Sequence, residues 1–168
     1  MAMQQTEQVD LGEIKVVDNK ATVFTVPNVG TSLVVIIYDH QNKIGGLAHI
    51  VLPESSLSTT PFGEQMPGKY ADVAVPRLME SFSELGGQKR GSIVRIVGGA
   101  QLFNFGGGAG NLLNIGARNA TAVRTAMSKQ GLAIDKADTG GNKSRALRFI
   151  LATGQVYVHQ IGGSEYLL

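Results

Sequence analysis

Apolar and β-branched residues along this chain fall into short runs closed by Gly, Asn, Asp, Ser and Thr, a pattern of strands. The runs are Glu13–Val17, Ala21–Val26, Ser32–Tyr38, Lys43–Val51 and Ser92–Val97, then Ala133–Ala137, Ser144–Leu151 and Gln155–Ile161. Asp138-Thr139-Gly140-Gly141 and Ala152-Thr153-Gly154 separate the last three with strong turn chemistry, which predicts an antiparallel meander.

Two segments repeat at helical spacing instead. In KYADVAVPRLMESFSELGG, Ala71, Val75, Leu78, Phe82 and Leu85 recur at three- and four-residue steps, with Gly86-Gly87 as the stop. Pro76 is tolerable there if it lies within about the first turns. A second helix over roughly Ile115 to Gln130 aligns Ile115, Ala122, Val123, Ala126 and Met127, and Gly131 follows as its C-terminal cap. Many strands and few helices predict an α+β fold, with layered mixed or antiparallel sheets and two main helices packed on one side.

The 168 residues suit one domain spanning 1–168, with residues 1–11 expected to be flexible because MAMQQTEQ offers nothing to bury. A formal charge of +2, with Lys143, Arg145 and Arg148 interleaved among apolar positions, gives no stripe for nucleic acid. With no cysteine, disulfides, thiolate metal sites and Fe–S clusters are excluded. No basic start precedes an apolar leader, and the run Leu33–Tyr38 is far too short to span a membrane. A cytoplasmic protein without membrane insertion is the expectation.

Candidate chemistry is sparse. GGAQLFNFGGGAGNLLNIGARN is rich in glycine but lacks both a P-loop Gly-Lys-Ser/Thr and dinucleotide glycine spacing, so it reads as a surface loop. His40, His49 and His159 show no metal-ligand spacing, and Asp39, Glu54, Asp72, Asp135 and Asp138 form no acid–base pair. Asp39 reads as a strand end opening a turn with Asn42. One juxtaposition stands out. If Ser32–Tyr38 and Lys43–Val51 form a hairpin through DHQNK, then Ser32 and His49 meet at its open end, as a nucleophile and its base must. Alternation places Leu47, His49 and Val51 on one face and Ala48 and Ile50 on the other. Any Ser and His flanking a hairpin would satisfy that spacing, and a lone histidine on a half-buried strand face satisfies it equally.

The ordered set GTSLVVIIYD, GGLAHIVLPES, KYADVAVPRLMES, IVGGA, IGARN and DTGGNKSRALRFILATGQV resembles the CheD family, the chemoreceptor glutamine deamidases of bacterial chemotaxis. The likeness runs from about Gly12 to about Gly162. It implies a layered fold similar to the catalytic domains of cytotoxic necrotizing factors. It also implies hydrolysis of glutamine side-chain amides in methyl-accepting chemotaxis receptors, a CheC-type phosphatase as a further partner, and no metal or organic cofactor. Carried over by motif, the base is His49, while the position of the nucleophilic cysteine holds Ser32. The position of a threonine six residues earlier holds Val26, and a one-residue shift would bring Thr25 into that role.

The departure has a physical consequence. A cysteine thiol, with a free pKa of about 8.5, is readily ionised beside an imidazolium, whereas serine must lose its proton to the base during attack. Two readings follow. In one, the chain is an amidohydrolase using Ser32 and His49, with backbone N–H groups near Thr31 to Leu33 as an oxyanion hole. In the other, it is a non-catalytic module that docks on chemoreceptors or on a CheC-type phosphatase.

Overall fold

A computed structural model describes residues 3–58, 66–102 and 114–168. In chain order the elements are β1 (Gln5–Gln8), β2 (Ile14–Val17), β3 (Thr22–Val29), β4 (Leu33–Asp39) and β5 (Ile44–Ile50). There follow a 3-10 turn at Ser55–Leu57, α1 (Ala71–Glu84), β6 (Ile93–Gly98), α2 (Ile115–Lys129), β7 (Lys136–Thr139), β8 (Arg145–Ile150), β9 (Gln155–Gln160) and β10 (Glu165–Leu167). The strands form two mixed sheets. One has the order β1-β3-β8-β9-β10, the other β2-β5-β4-β6-β7. Pairing is parallel between β1 and β3 and between β6 and β7, and antiparallel elsewhere.

β4 explains the layering. All seven of its residues are buried, which requires cover on both faces of its sheet. Leu33, Val35 and Ile37 pack with Ala74, Leu78 and Phe82 of α1 and Val123 and Met127 of α2. Val34, Ile36 and Tyr38 point the other way, into a layer shared with Phe24, Val26, Leu147, Phe149, Val156 and Val158 of the second sheet. At about 1.5–3 kcal/mol for each fully buried large apolar side chain, these two faces dominate the stability of the strand. The described residues therefore stack three layers deep, helices then sheet then sheet, an α+β arrangement with α1 and α2 on one side.

The expected hairpin is present: β4 and β5 are antiparallel, with Leu33 opposite Ile50 and Asp39 opposite Ile44. Asp39 closes the turn by accepting from the backbone N–H of Gln41 and Asn42, from the Asn42 amide and from Gln88 N–H. Gly131 follows α2 at φ 76°, a left-handed position that suits a residue with no Cβ.

Three expectations are corrected. The three segments expected as one meander are split: β8 and β9 pair antiparallel as expected, but β7 joins the sheet of β4, parallel to β6, while β8 and β9 lie in the sheet of β3. β7 also starts at Lys136, since Leu132 and Ile134 are drawn against the helical layer. At the N-terminus, Gln5–Gln8 form an edge strand beside β3 and Val9 is fully buried, although the segment offered little to bury. An edge strand is held through its backbone, so hydropathy gives no sign of it. The glycine-rich reading falls mostly on 103–113, outside the described residues.

Candidate active site

Ser32 and His49 meet where the layer between the sheets reaches its end. His49 alternates with Leu47 on the inward face of β5, opposite Val34 of β4. Ser32 precedes β4 by one residue, so alternation gives it the same face as Val34. Their side chains join through a 2.7 Å hydrogen bond between Ser32 Oγ and His49 Nε2. Exposure is 6% at Ser32 and 2% at His49.

Burial also sets the charge of the ring. Loss of solvent holds the His49 pKa below its usual value, against the opposing pull of the Val9 carbonyl and the Asp10 and Glu13 carboxylates. Burial thus favours the neutral ring, and in the tautomer that carries its proton on Nδ1, Nε2 can accept the Ser32 proton. Although the Val9 carbonyl favours the charged ring, it closes no hydrogen bond of normal geometry, and Nδ1 has no partner among the described residues.

Backbone and helix contacts fix the position of Ser32. Ser32 carbonyl accepts from Gly99 N–H at 2.8 Å, and Gly30 carbonyl accepts from Ala100 N–H at 3.0 Å. The N–H groups of Thr31 and Ser32 donate to no backbone carbonyl among the described residues. From α2, Asn119 is fully buried and its amide donates to the carbonyls of Thr31 and Val51. On the far side of the same end, Arg145 of β8 pairs with Asp138 of β7 at 3.0 Å, tying one sheet to the other.

The structure brings Ser32 and His49 together but leaves Thr25 apart. On β3 the side chains of Phe24 and Val26 enter the layer between the sheets, and Thr25, half-buried, lies on the opposite face beside Arg148. Val26 holds the inward position, so no threonine hydroxyl replaces it there. His40 lies exposed at the hairpin turn and His159 is on β9, away from the pair.

Asn119 and the Arg145–Asp138 pair escaped the sequence reading. A polar pair in the first turn of α2 was visible in IGARN, and the structure resolves it: Arg118 is exposed and Asn119 buried. Gly116, one helical turn earlier on the same face, was the available clue. Arg145 looked like part of a solvated basic cluster, yet it is 2% exposed.

A model of the CheD chemotactic sensory transduction family matches residues 51–160. The chain is 35% identical over 159 residues to the chemoreceptor glutamine deamidase CheD of Thermotoga maritima, covering 95% of this chain and 94% of that one. The chain belongs to the CheD family. A CheD relative from Symbiobacterium thermophilum is 34% identical over 168 residues, the full length of both chains. Another from Clostridium botulinum is 36% identical over 156 residues, 92% of this chain and 93% of its own. The family-model match starts at Val51, after both Ser32 and His49. In this CheD-family chain the serine–histidine contact is thus an observation of geometry, made independently of that match. No described helix is long and apolar enough to cross a membrane.

Proposed function

We propose that this protein hydrolyses the side-chain amides of glutamines in methyl-accepting chemotaxis receptors, with Ser32 as nucleophile and His49 as general base. The observation that carries the reading is the 2.7 Å contact between Ser32 Oγ and His49 Nε2. The Thermotoga maritima relative, a chemoreceptor glutamine deamidase, supplies the substrate class.

The residues account for each step. As Ser32 Oγ attacks the amide carbon, His49 Nε2 takes its proton, which a neutral ring can do. Charge then develops on the amide oxygen, and the N–H groups of Thr31 and Ser32, which have no backbone acceptor among the described residues, can donate to it. The His49 imidazolium gives its proton to the departing nitrogen, so ammonia leaves and an ester to Ser32 remains. Water, deprotonated by His49, attacks that ester and releases glutamate with Ser32 restored. The balance is one amide and one water in, one carboxylic acid and one ammonia out. No cofactor or metal enters this scheme.

The same reading extends to the rest of the chain: one domain over 1–168, a cytoplasmic location, and a layered arrangement similar to the catalytic domains of cytotoxic necrotizing factors. It also admits a CheC-type phosphatase as partner, with no role for nucleic acid.

A second reading is favoured by a specific observation. Serine stands where the family resemblance places a cysteine, and Nδ1 of His49 has no side-chain orienter among the described residues. Under that reading the chain docks on chemoreceptors or a CheC-type phosphatase without chemistry. Mass spectrometry of receptor cytoplasmic fragments, incubated with this protein or its Ser32→Cys variant, separates the two. Each deamidated glutamine gains about one mass unit. Product from the unmodified protein supports the amidohydrolase. Product from Ser32→Cys alone supports an intact framework around a disabled nucleophile, and product from neither sinks the catalytic reading.

A further inference from the structure

We infer that Asn119 is a positioning residue, which clamps the open end of the β4–β5 hairpin so that Ser32 and His49 stay in contact. The inference rests on the Ser32–His49 reading above and assigns the pair's geometry to a side chain on α2.

The need for a clamp follows from the register. Cross-strand pairing ends at Leu33 opposite Ile50, so Ser32 and Val51 lie just past the last rung. Strand ends without ladder bonds splay, and a splay of about 1 Å at reacting atoms is enough to lose much of the rate. Asn119 Nδ2 carries two hydrogens, and both are used. One goes to Thr31 carbonyl at 2.9 Å and the other to Val51 carbonyl at 3.0 Å. One amide thereby joins the residue before Ser32 to the residue two after His49.

The bond to Thr31 acts on Ser32 directly. Thr31 carbonyl and Ser32 N–H belong to one planar peptide, so fixing the oxygen fixes the direction of the N–H and the place of Ser32 Cα. The next peptide plane is held by Gly99 N–H on Ser32 carbonyl at 2.8 Å. Ser32 is thus gripped on both sides, by α2 through Asn119 and by the end of β6 through Gly99. The helix approaches closely enough because position 116 is glycine: a Cβ there would fall 2.4 Å from the carbonyl oxygens of both Gly99 and Ala100.

A merely structural role would show in stability alone, so the test reads the pair itself. The His49 ring is titrated by ¹⁵N NMR in the full chain, in Asn119→Ala and in Met127→Ala, a buried α2 position remote from the hairpin end. Loss of the clamp separates Ser32 Oγ from Nε2, and a ring no longer accepting that hydrogen bond protonates more readily. The expected result is an upward shift in the His49 midpoint for Asn119→Ala, at least about threefold in protonation constant, or roughly half a pH unit. Met127→Ala should leave it in place. An unmoved midpoint in Asn119→Ala, or an equal shift in Met127→Ala, overturns the inference. Should Asn119→Ala not fold, Asn119→Ser, which retains one donor, is read against the same two outcomes. The titration needs no receptor: absence of deamidation would sink the proposed function alone, and an Asn119-independent midpoint would sink this inference alone.

Discussion

Ser32 Oγ and His49 Nε2 lie 2.7 Å apart although the two residues are not cross-strand partners. In the hairpin register Val34 faces His49, and Ser32 reaches the ring diagonally from beyond the last paired position. The contact depends on both strands ending where they do, and it links chemistry to a feature of backbone register.

Removing either partner should abolish turnover. Ser32→Ala and His49→Gln are each expected to lower the rate of receptor deamidation by about 100-fold or more, with the fold retained. Timed mass spectrometry of a receptor fragment measures the rate, and circular dichroism checks the fold. A variant of either kind that keeps more than a tenth of the activity would remove its residue from the mechanism.

The rate should rise with pH to a plateau reached by neutrality. His49 must be neutral to act as base, and burial holds its pKa below the ordinary histidine value of about 6.5. Stability follows the same group. Between the depressed folded value and about 6.5 the unfolded chain binds more protons, so stability falls as pH falls through that window. Urea unfolding at pH 7 and pH 5.5 should show a smaller loss on acidification in His49→Gln.

Thr25→Val should leave deamidation unchanged, because Thr25 faces away from the layer that holds the pair. A loss beyond about threefold, roughly 0.7 kcal/mol in activation free energy, would restore Thr25 to the site.

Gly116→Ala should weaken stability and activity together. The added methyl meets two backbone oxygens at 2.4 Å, and backbone cannot rotate aside as a flexible side chain can. Displacement of α2 carries Asn119 away from Thr31 and Val51. A thermal midpoint and turnover both equal to those of the parent would show that the helix stands off further than this packing requires.

Asp39→Asn should destabilise by about 2–3 kcal/mol at pH 7. Asp39 accepts four hydrogen bonds, and an amide nitrogen would confront the donors of Asn42 and Gln88. Burial opposes ionisation of Asp39, yet the hydrogen bonds prevail and hold its carboxyl below the ordinary range. Its stabilisation is therefore present above the ordinary carboxylate range and is lost as pH falls through the folded value. Denaturation curves of parent and variant should converge as pH falls below the ordinary carboxylate range.

What could be read from the sequence was whatever acts locally. The hairpin around DHQNK, both helices, the face of His49 and the turn role of Asp39 all follow from periodicity or turn chemistry within a few residues. What escaped was nonlocal. β1 pairs through its backbone at a sheet edge, β7 crosses to the other sheet, and Arg145 finds Asp138 only because the sheets stack. Asn119 lies 88 residues from Thr31, and no spacing rule joins the two. Thr25 adjoins the motif position in sequence, yet side-chain alternation sets it on the other face of its strand.

The buried imidazole carries a thermodynamic penalty for the molecule. His49 occupies the last tier of an apolar layer that includes Val34, Leu47 and Val97, with one ring nitrogen lacking a partner among the described residues. A leucine of similar bulk would sit there without that desolvated atom, and such exchanges commonly leave a fold unharmed or firmer. The sheet end is therefore a place where the chain holds less than the greatest rigidity its architecture permits. That reserve of forgone stability is what selection for the pair would leave behind.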